Sequence, residues 1–290
     1  MYFKIYVPAT SANLGSGFDS AGLALNRYNE FTFDFTQEGI KFFDEIYQFD
    51  TSLTLDSFFK TLTLLDVEHP KNVHLTTVSN IPIARGLGSS STCIVAGVLA
   101  ANHFAKTNLS LEKLALIATK LEGHPDNVVS AIYGSLNLSL YEEKLFNNNV
   151  TVHQDLYFIA LVPDHTVKTS EARNILPTSY EMGDIVFNLS RVSFIEKAFS
   201  TLDEELLKIV TQDRLHQSYR KQLIQDFKQI DDALKHPKII TSWISGAGPT
   251  MMALCHRDNT KEISDHLSRK LPKSIQILSL QIEPKGAMIK

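Results

Sequence analysis

The stretch Ile81-Pro82-Ile83-Ala84-Arg85-Gly86-Leu87-Gly88-Ser89-Ser90-Ser91-Thr92 carries the strongest chemistry in the chain. Gly86 and Gly88 let the backbone adopt positive φ and approach a ligand closely. The serines and the threonine then offer hydroxyls and amides where a helix begins, and free N–H groups at a helix start suit phosphate. An N-capped helix after a glycine turn is the plainer alternative. It is not a Walker loop, since no Gly-Lys-Ser/Thr follows the glycines. Pro8-Ala9-Thr10-Ser11-Ala12-Asn13-Leu14-Gly15-Ser16-Gly17-Phe18-Asp19 sets an amide and a carboxylate on a glycine-rich turn. That turn has a backbone explanation of its own. In Glu122-Gly123-His124-Pro125-Asp126-Asn127, a carboxylate at a helix C-terminus faces the negative end of the dipole, so something positive should offset it. Magnesium, which prefers oxygen ligands, is a candidate. Two arginines, Arg173 and Arg220, lie far downstream in Thr169-Ser170-Glu171-Ala172-Arg173 and Leu215-His216-Gln217-Ser218-Tyr219-Arg220. Isolated arginines are usually solvated.

Position by position, the Ile81–Thr92 stretch resembles the ATP-binding signature of the GHMP small-molecule kinases. The other segments, with Ser245-Gly246-Ala247-Gly248-Pro249-Thr250, are similar to motifs of the homoserine kinases and keep their order. The resemblance implies that Pro82 to Thr92 wrap the phosphates of ATP, and that Ser90 and Glu122 hold magnesium. It also implies that Asn13, Asp19, Asn127, Thr169, Arg173 and Arg220 form the amino-acid site, with Ser90, Glu122, Asn13 and Asn127 serving the reaction. Asp19 is expected to take the substrate ammonium and the two arginines its carboxylate. Ser16, Ser218 and Val128-Val129-Ser130 depart from the usual residues at their positions. The reaction implied is ATP-dependent phosphorylation of the side-chain hydroxyl of L-homoserine, a step of threonine biosynthesis. Asn127 is an amide, so no side-chain base is expected there. A GHMP kinase of another substrate, such as mevalonate or a sugar, is one rival, and a nucleotide sensor without catalysis is another. The fold implied has an N-terminal domain like the second domain of ribosomal protein S5, containing a left-handed βαβ crossover, and a ferredoxin-like C-terminal domain.

The elements that must position these residues can be read from periodicity. Tyr2 to Val7 and Asn29 to Phe35 read as strands, with Pro8 to Gly22 a loop between them. Leu53 to Leu65 reads as a helix and Asn72 to Ser79 as a strand. A helix starts at Ser89 and runs to about Lys106. Ser110 caps a helix that ends at Gly123, and Asp126 caps a short one ending near Gly134. Ser135 to Tyr141 alternates, with Leu136, Leu138 and Leu140 on one face. The polar run Asn147-Asn148-Asn149 is the expected boundary between a domain of residues 1–150 and one of 151–290. Leu156 to Val162 is a strand and Ser170 to Leu176 a short helix. Asp184 to Lys235 reads as three helices. Strands follow at Ile239–Ile244, Met251–Cys255 and Ile275–Ile282, with a helix from Thr260 to Leu271. His256-Arg257-Asp258-Asn259 mimics a protein-kinase loop without its later residues and reads as a surface turn. The class is α+β, with helices and strands intermixed in both halves.

Composition narrows the partners. The 290 residues are 43% hydrophobic and 21% charged, enough for one large or two ordinary cores. A net charge of -4, from 28 basic and 32 acidic residues, argues against a nucleic-acid partner. Two cysteines fit a reducing cytosol. The start has no signal-peptide layout, and the most apolar stretch, Cys93 to Ala105, is too short to span a bilayer. A cytoplasmic enzyme is expected, with no membrane partner and with a homodimer left open.

Overall fold

The computed structural model describes residues 1–44 and 52–290. Its elements in chain order are β1 (Tyr2–Ala12), β2 (Ala21–Asp34), β3 (Ile40–Asp44), α1 (Leu53–Leu64), β4 (Val73–Val78), α2 (Ser89–Ala105), α3 (Leu111–Glu122), α4 (Asp126–Tyr133), β5 (Leu136–Tyr141) and β6 (Leu145–Val150). They continue with β7 (Leu156–Val162), α5 (Thr169–Asn174), α6 (Met182–Val192), α7 (Ile195–Thr201), α8 (Glu204–Val210), α9 (Gln217–Arg220), α10 (Phe227–Leu234), β8 (Ile239–Ile244), β9 (Met251–His256), α11 (Thr260–Lys270), β10 (Gln276–Leu280) and β11 (Met288–Ile289). Among the described residues the strands form two sheets. One has the order β11-β1-β2-β4-β3, with β5 on the near end of β2 and β6 beside β5. The other has the order β10-β7-β9-β8, antiparallel throughout, which is the ferredoxin-like arrangement. No helix among the described residues is long and apolar enough to cross a membrane.

β1 continues well past Pro8, where the sequence suggested a loop. The β1–β2 register shifts between Pro8 and Ala9. Proline has no N–H for a ladder, and a bulge is where a strand tolerates it. The strand thereby delivers Asn13 directly to its end. The asparagine run is also strand and not linker. It lies in β6, and the side-chain amides of Asn147 and Asn149 donate to Oδ1 of the fully buried Asn137 at 2.8 and 3.0 Å. Their side chains satisfy a buried amide that would otherwise be costly. In β5 the leucine face is covered at Leu136 and in part at Leu138 but not at Leu140, which is exposed, and the opposite face is covered as well, with Asn137 and Ser139 buried. β3 pairs with β4 in parallel. The region expected as three helices is divided into α6 to α10. One division falls at Leu202, which adopts a left-handed φ of 56°, and Asp203 then caps α8 through the Leu206 N–H at 3.0 Å. Asp126 is the first residue of α4 and not its cap, a place held by Pro125.

Helices α1 to α4 cover one face of the first sheet around Phe31, Phe33 and Phe58. A second cluster is shared between the two sheets. α1 and α2 pack closely because Gly97 has no side chain. A Cβ there would lie 2.5 Å from the Thr54 carbonyl oxygen and 2.7 Å from the Phe58 nitrogen. Alanine favours helix over glycine by about 1 kcal/mol, but overpacking against backbone costs about 1–3 kcal/mol. Gly97→Ala is therefore expected to lower the urea midpoint. An unchanged or raised midpoint would refute the close-packing account.

Candidate active site

The phosphate-loop candidate stands between the two sheets. Gly86 and Gly88 have φ of 77° and 76°. A Cβ on Gly86 would lie 2.2 Å from the Ser245 carbonyl oxygen, and one on Gly88 would lie 2.0 Å from Thr10 Oγ1. Only glycine fits either place. α2 begins immediately afterwards with no side-chain cap, which leaves its first N–H groups unclaimed by side chains. Those groups border a cavity of about 740 Å³. Ile83, Ala84, Arg85, Gly86, Gly88, Ser89, Ser90 and Ser91 line it. Three expected members of the loop do not. Leu87 is buried in the shared core. Thr92 lies one helical turn inside, where its hydroxyl donates to the Ser89 carbonyl at 2.7 Å and accepts from Asn29 at 3.0 Å. Pro82 lines a neighbouring cavity of about 430 Å³.

Glu122 faces this loop from the end of α3. The Ser91 hydroxyl donates to Glu122 Oε1 at 2.7 Å. Burial raises the Glu122 pKa and the Ser91 hydrogen bond only partly offsets it. Among the described residues no basic side chain forms an ion pair with it. Ser89 Oγ is buried with no partner. A desolvated carboxylate and serine hydroxyls at a helix start make an all-oxygen set, which fits magnesium.

The rest of the cavity is lined by residues from distant parts of the chain. Asn13, with φ of 73°, accepts the Asp19 N–H at 3.1 Å through Oδ1 and donates to the Gly246 carbonyl at 3.1 Å. The Asp19 carboxylate binds the Arg173 guanidinium in a two-pronged pair, with both contacts at 2.9 Å. Arg220 is only 3% exposed. It donates to the Gly246 carbonyl at 2.8 Å and the Ala172 carbonyl at 3.2 Å, and its Cζ lies 5.0 Å from the Phe18 ring centre. Asn127 accepts the Thr10 hydroxyl at 2.7 Å. Thr169 opens α5 at the cavity wall.

Besides Val167 and Lys168 in the cavity lining, two cavity residues inside the quoted Glu122–Asn127 segment carried no site role in the sequence reading. They are His124 and Asp126, whose Nδ1 and Oδ1 are 2.6 Å apart. Burial, the largest influence, would lower the His124 pKa, but the Asp126 hydrogen bond together with the negative charges of Asp126, Glu122 and Asp19 outweighs it and raises the pKa to about 8. Ligand atoms of Asp19, His124 and Asp126 lie within 4.8 Å of one another. A further unforeseen residue, Asp213, positions Arg220. Its side chain is fully buried and accepts the N–H groups of Leu215, His216 and Gln217 and the amide of Asn188, at 2.7 to 3.0 Å. His216 holds the N-cap place of α9 without a side-chain cap, and the Asp213 carboxylate takes the N–H groups around that helix start instead.

Comparisons with known proteins place the chain in a family. Residues 55–135 match the family model described as the GHMP kinases N terminal domain, and residues 194–273 match that for the GHMP kinases C terminal. A curated homoserine kinase of Clostridium beijerinckii is 35% identical over 302 residues, covering 98% of this chain and 97% of its own. One from Caldanaerobacter subterraneus is 34% identical, covering 99% and 95%. The crystal structure of a homoserine kinase from Cytophaga hutchinsonii matches with a TM-score of 0.86 over 100% of this chain and 97% of its own, and at 24% identity it speaks for the fold.

Next to Arg220, His216 is buried, and that burial lowers its pKa to about 4 despite the nearby Asp213. Its Nε2 lies 2.8 Å from the Gly15 carbonyl, so the neutral ring donates there. The unfolded chain takes up this proton near pH 6.5 and the folded one only near pH 4, so the stabilisation is present above pH 6.5 and is lost as pH falls towards 4. Between pH 7.5 and pH 5 the loss is on the order of 2 kcal/mol. His216→Gln is expected to show a smaller drop in urea midpoint between pH 7.5 and 5 than the wild type. An equal drop would remove His216 from the acid sensitivity.

Proposed function

The chain belongs to the GHMP kinases, among their homoserine kinases, and from that premise we propose that the cavity between its two sheets transfers the γ-phosphoryl group of ATP to the side-chain hydroxyl of L-homoserine. The product is O-phospho-L-homoserine, in threonine biosynthesis. One observation carries the reading. A single cavity joins an open helix start and a desolvated carboxylate to a second group made of Asn13, Asp19, Arg173 and Arg220. The first group suits a metal-bound polyphosphate and the second a zwitterionic amino acid. Mevalonate has a carboxylate but no ammonium and a simple sugar has neither, so such a kinase would not need two arginines and an acid together.

Phosphoryl transfer depends on positioning and charge neutralisation. The N–H groups at the start of α2 face the phosphates and favour the negative charge there. Glu122 and the Ser90 hydroxyl would hold magnesium, which would supply charge neutralisation at the phosphates. Arg220, fixed by two carbonyls, and Arg173 receive the substrate carboxylate, and Asp19 receives its ammonium. Asn127, its Oδ1 occupied by Thr10, orients the hydroxyl and takes no proton, which leaves a phosphate oxygen or water as acceptor. The domain division near residue 150 is part of the same proposal. It is supported by the two sheets, with β11 and the 281–283 segment, bridged to Leu25, returning from the second half to the first. A cytosolic setting suits the two buried free thiols, Cys93 and Cys255.

ADP release with magnesium-ATP is expected to be fastest with L-homoserine in a panel of small alcohols. L-Serine, whose hydroxyl is one methylene closer to the anchored groups, is expected to be poorer by roughly a hundredfold, as a misplacement of about 1 Å allows. Mevalonate as the best substrate would overturn the reading. Glu122→Gln is expected to keep the fold and lose most turnover, since charge terms of this kind are worth about 3–4 kcal/mol. Wild-type turnover at millimolar magnesium would remove Glu122 from the metal site. Arg220→Lys is expected to raise KM for homoserine about ten- to a hundredfold, with KM for ATP unchanged when homoserine is saturating. An equal rise in both would assign the arginine to the fold.

A further inference from the structure

Arg85 stands within the phosphate-loop candidate, yet its guanidinium is turned towards the second half of the chain. Nε donates to the Pro163 carbonyl at 2.9 Å, and Nη2 donates to the Asp164 carbonyl and, at 3.3 Å, to its carboxylate. Nη1 donates to the carbonyl of Ile83, two residues back, at 2.9 Å. That last bond closes a ring around Ala84, a non-glycine residue with φ of 51°. Each guanidinium nitrogen is thus engaged by protein oxygens. A lysine would supply one point of contact where the planar fork supplies several.

The backbone around Arg85 is held from the same direction. The Ala84 carbonyl accepts the Val167 N–H at 3.2 Å, and the Arg85 carbonyl accepts the Thr250 N–H at 3.3 Å. The Ser245 hydroxyl donates to the Gly86 carbonyl at 2.6 Å. The 163–167 segment leaves the end of β7 and leads directly into α5, which carries Thr169 and Arg173. A short chain of hydrogen bonds therefore runs from the phosphate loop to the helix that bears one of the two cavity arginines. Arg85 itself forms the wall between the 740 Å³ cavity and the 430 Å³ one behind it.

We propose that Arg85 is a positioning residue that couples the two substrate sites. It holds the phosphate loop and the 163–173 segment as one unit, so that homoserine seated against Arg173 favours the loop conformation that takes the nucleotide. Linkage makes the effect reciprocal. The inference rests on the reading of the cavity given above and adds to it an interaction between its two halves.

The test is calorimetric titration of the full chain with magnesium and the non-hydrolysable analogue AMP-PNP, with and without L-homoserine. In the wild type homoserine is expected to tighten analogue binding by at least about fivefold, within the usual range for coupled sites. In Arg85→Ala the factor is expected to fall to within about twofold of one, and in Arg85→Lys to an intermediate value. An Arg85→Ala protein that keeps the wild-type factor overturns the proposal. So does one that loses analogue affinity without homoserine but keeps the factor, since that marks a direct phosphate ligand. If Arg85→Ala does not fold, an undiminished factor in Arg85→Lys overturns the proposal by itself. A wild-type factor of one overturns it as well. Homoserine titrated alone then separates the cases, because only absence of binding counts against the substrate reading.

Discussion

The two sheets share one apolar core, and the convergence of the polar groups depends on it. Leu23, Leu25, Leu136 and Val150 from the first sheet pack in the same cluster as Phe158, Phe199, Trp243 and Met252 from the second half. Burial of this kind contributes roughly 25 cal/mol per Å² and has no directionality, so it fixes the halves together without specifying chemistry. Direction comes from the polar edge of that core. The Trp243 indole donates to Ser11 Oγ at 3.1 Å, and Ser245 Oγ, 2.8 Å from Ser11 Oγ, also reaches the Gly86 carbonyl. Apolar packing thus leads, within a few side chains, to the backbone of the phosphate loop.

A cavity this rich in ionised groups is stable because its desolvated charges are compensated in different ways. Asp213 is satisfied by three backbone N–H groups and an amide, with no cation required. Arg220 is satisfied by carbonyls and by the face of Phe18. Glu122 has only a hydroxyl, and its raised pKa records that shortfall. The incompletely compensated carboxylate is the one beside the open helix start. A group of that kind is a better indicator of a binding site than one whose partners are all internal.

The loops were legible in the sequence because their chemistry is local. Gly86 and Gly88 stand where a Cβ would strike another part of the chain, and a run of serines after glycines announces a helix start wherever it folds. The long periodic elements, such as α2 and β7, were legible for the same reason. β3, β6 and β11 were not. β3 alternates poorly because much of it is exposed, and β6 is built of asparagines whose purpose appears only opposite Asn137. Nor did spacing reveal that Pro8 interrupts a ladder without ending a strand, or that the Arg85 guanidinium is held by the Pro163 and Asp164 oxygens. Those facts depend on partners far away in the chain, and periodicity contains no information about them.

The Asp19–Arg173 pair has one consequence for selectivity. With the two side chains joined at 2.9 Å, each already has its counter-ion. A lone carboxylate that draws on Arg173 as well as Arg220 detaches Arg173 from Asp19 and leaves Asp19 bare in a half-buried place, and a lone amine that draws on Asp19 does the reverse. A zwitterion brings both signs at once and can slip between the partners, exchanging one ion pair for two. On this reading the pair acts as a lock with two wards. Simple organic acids and simple amines each carry half a key, and the closed pair shuts both out without any steric barrier.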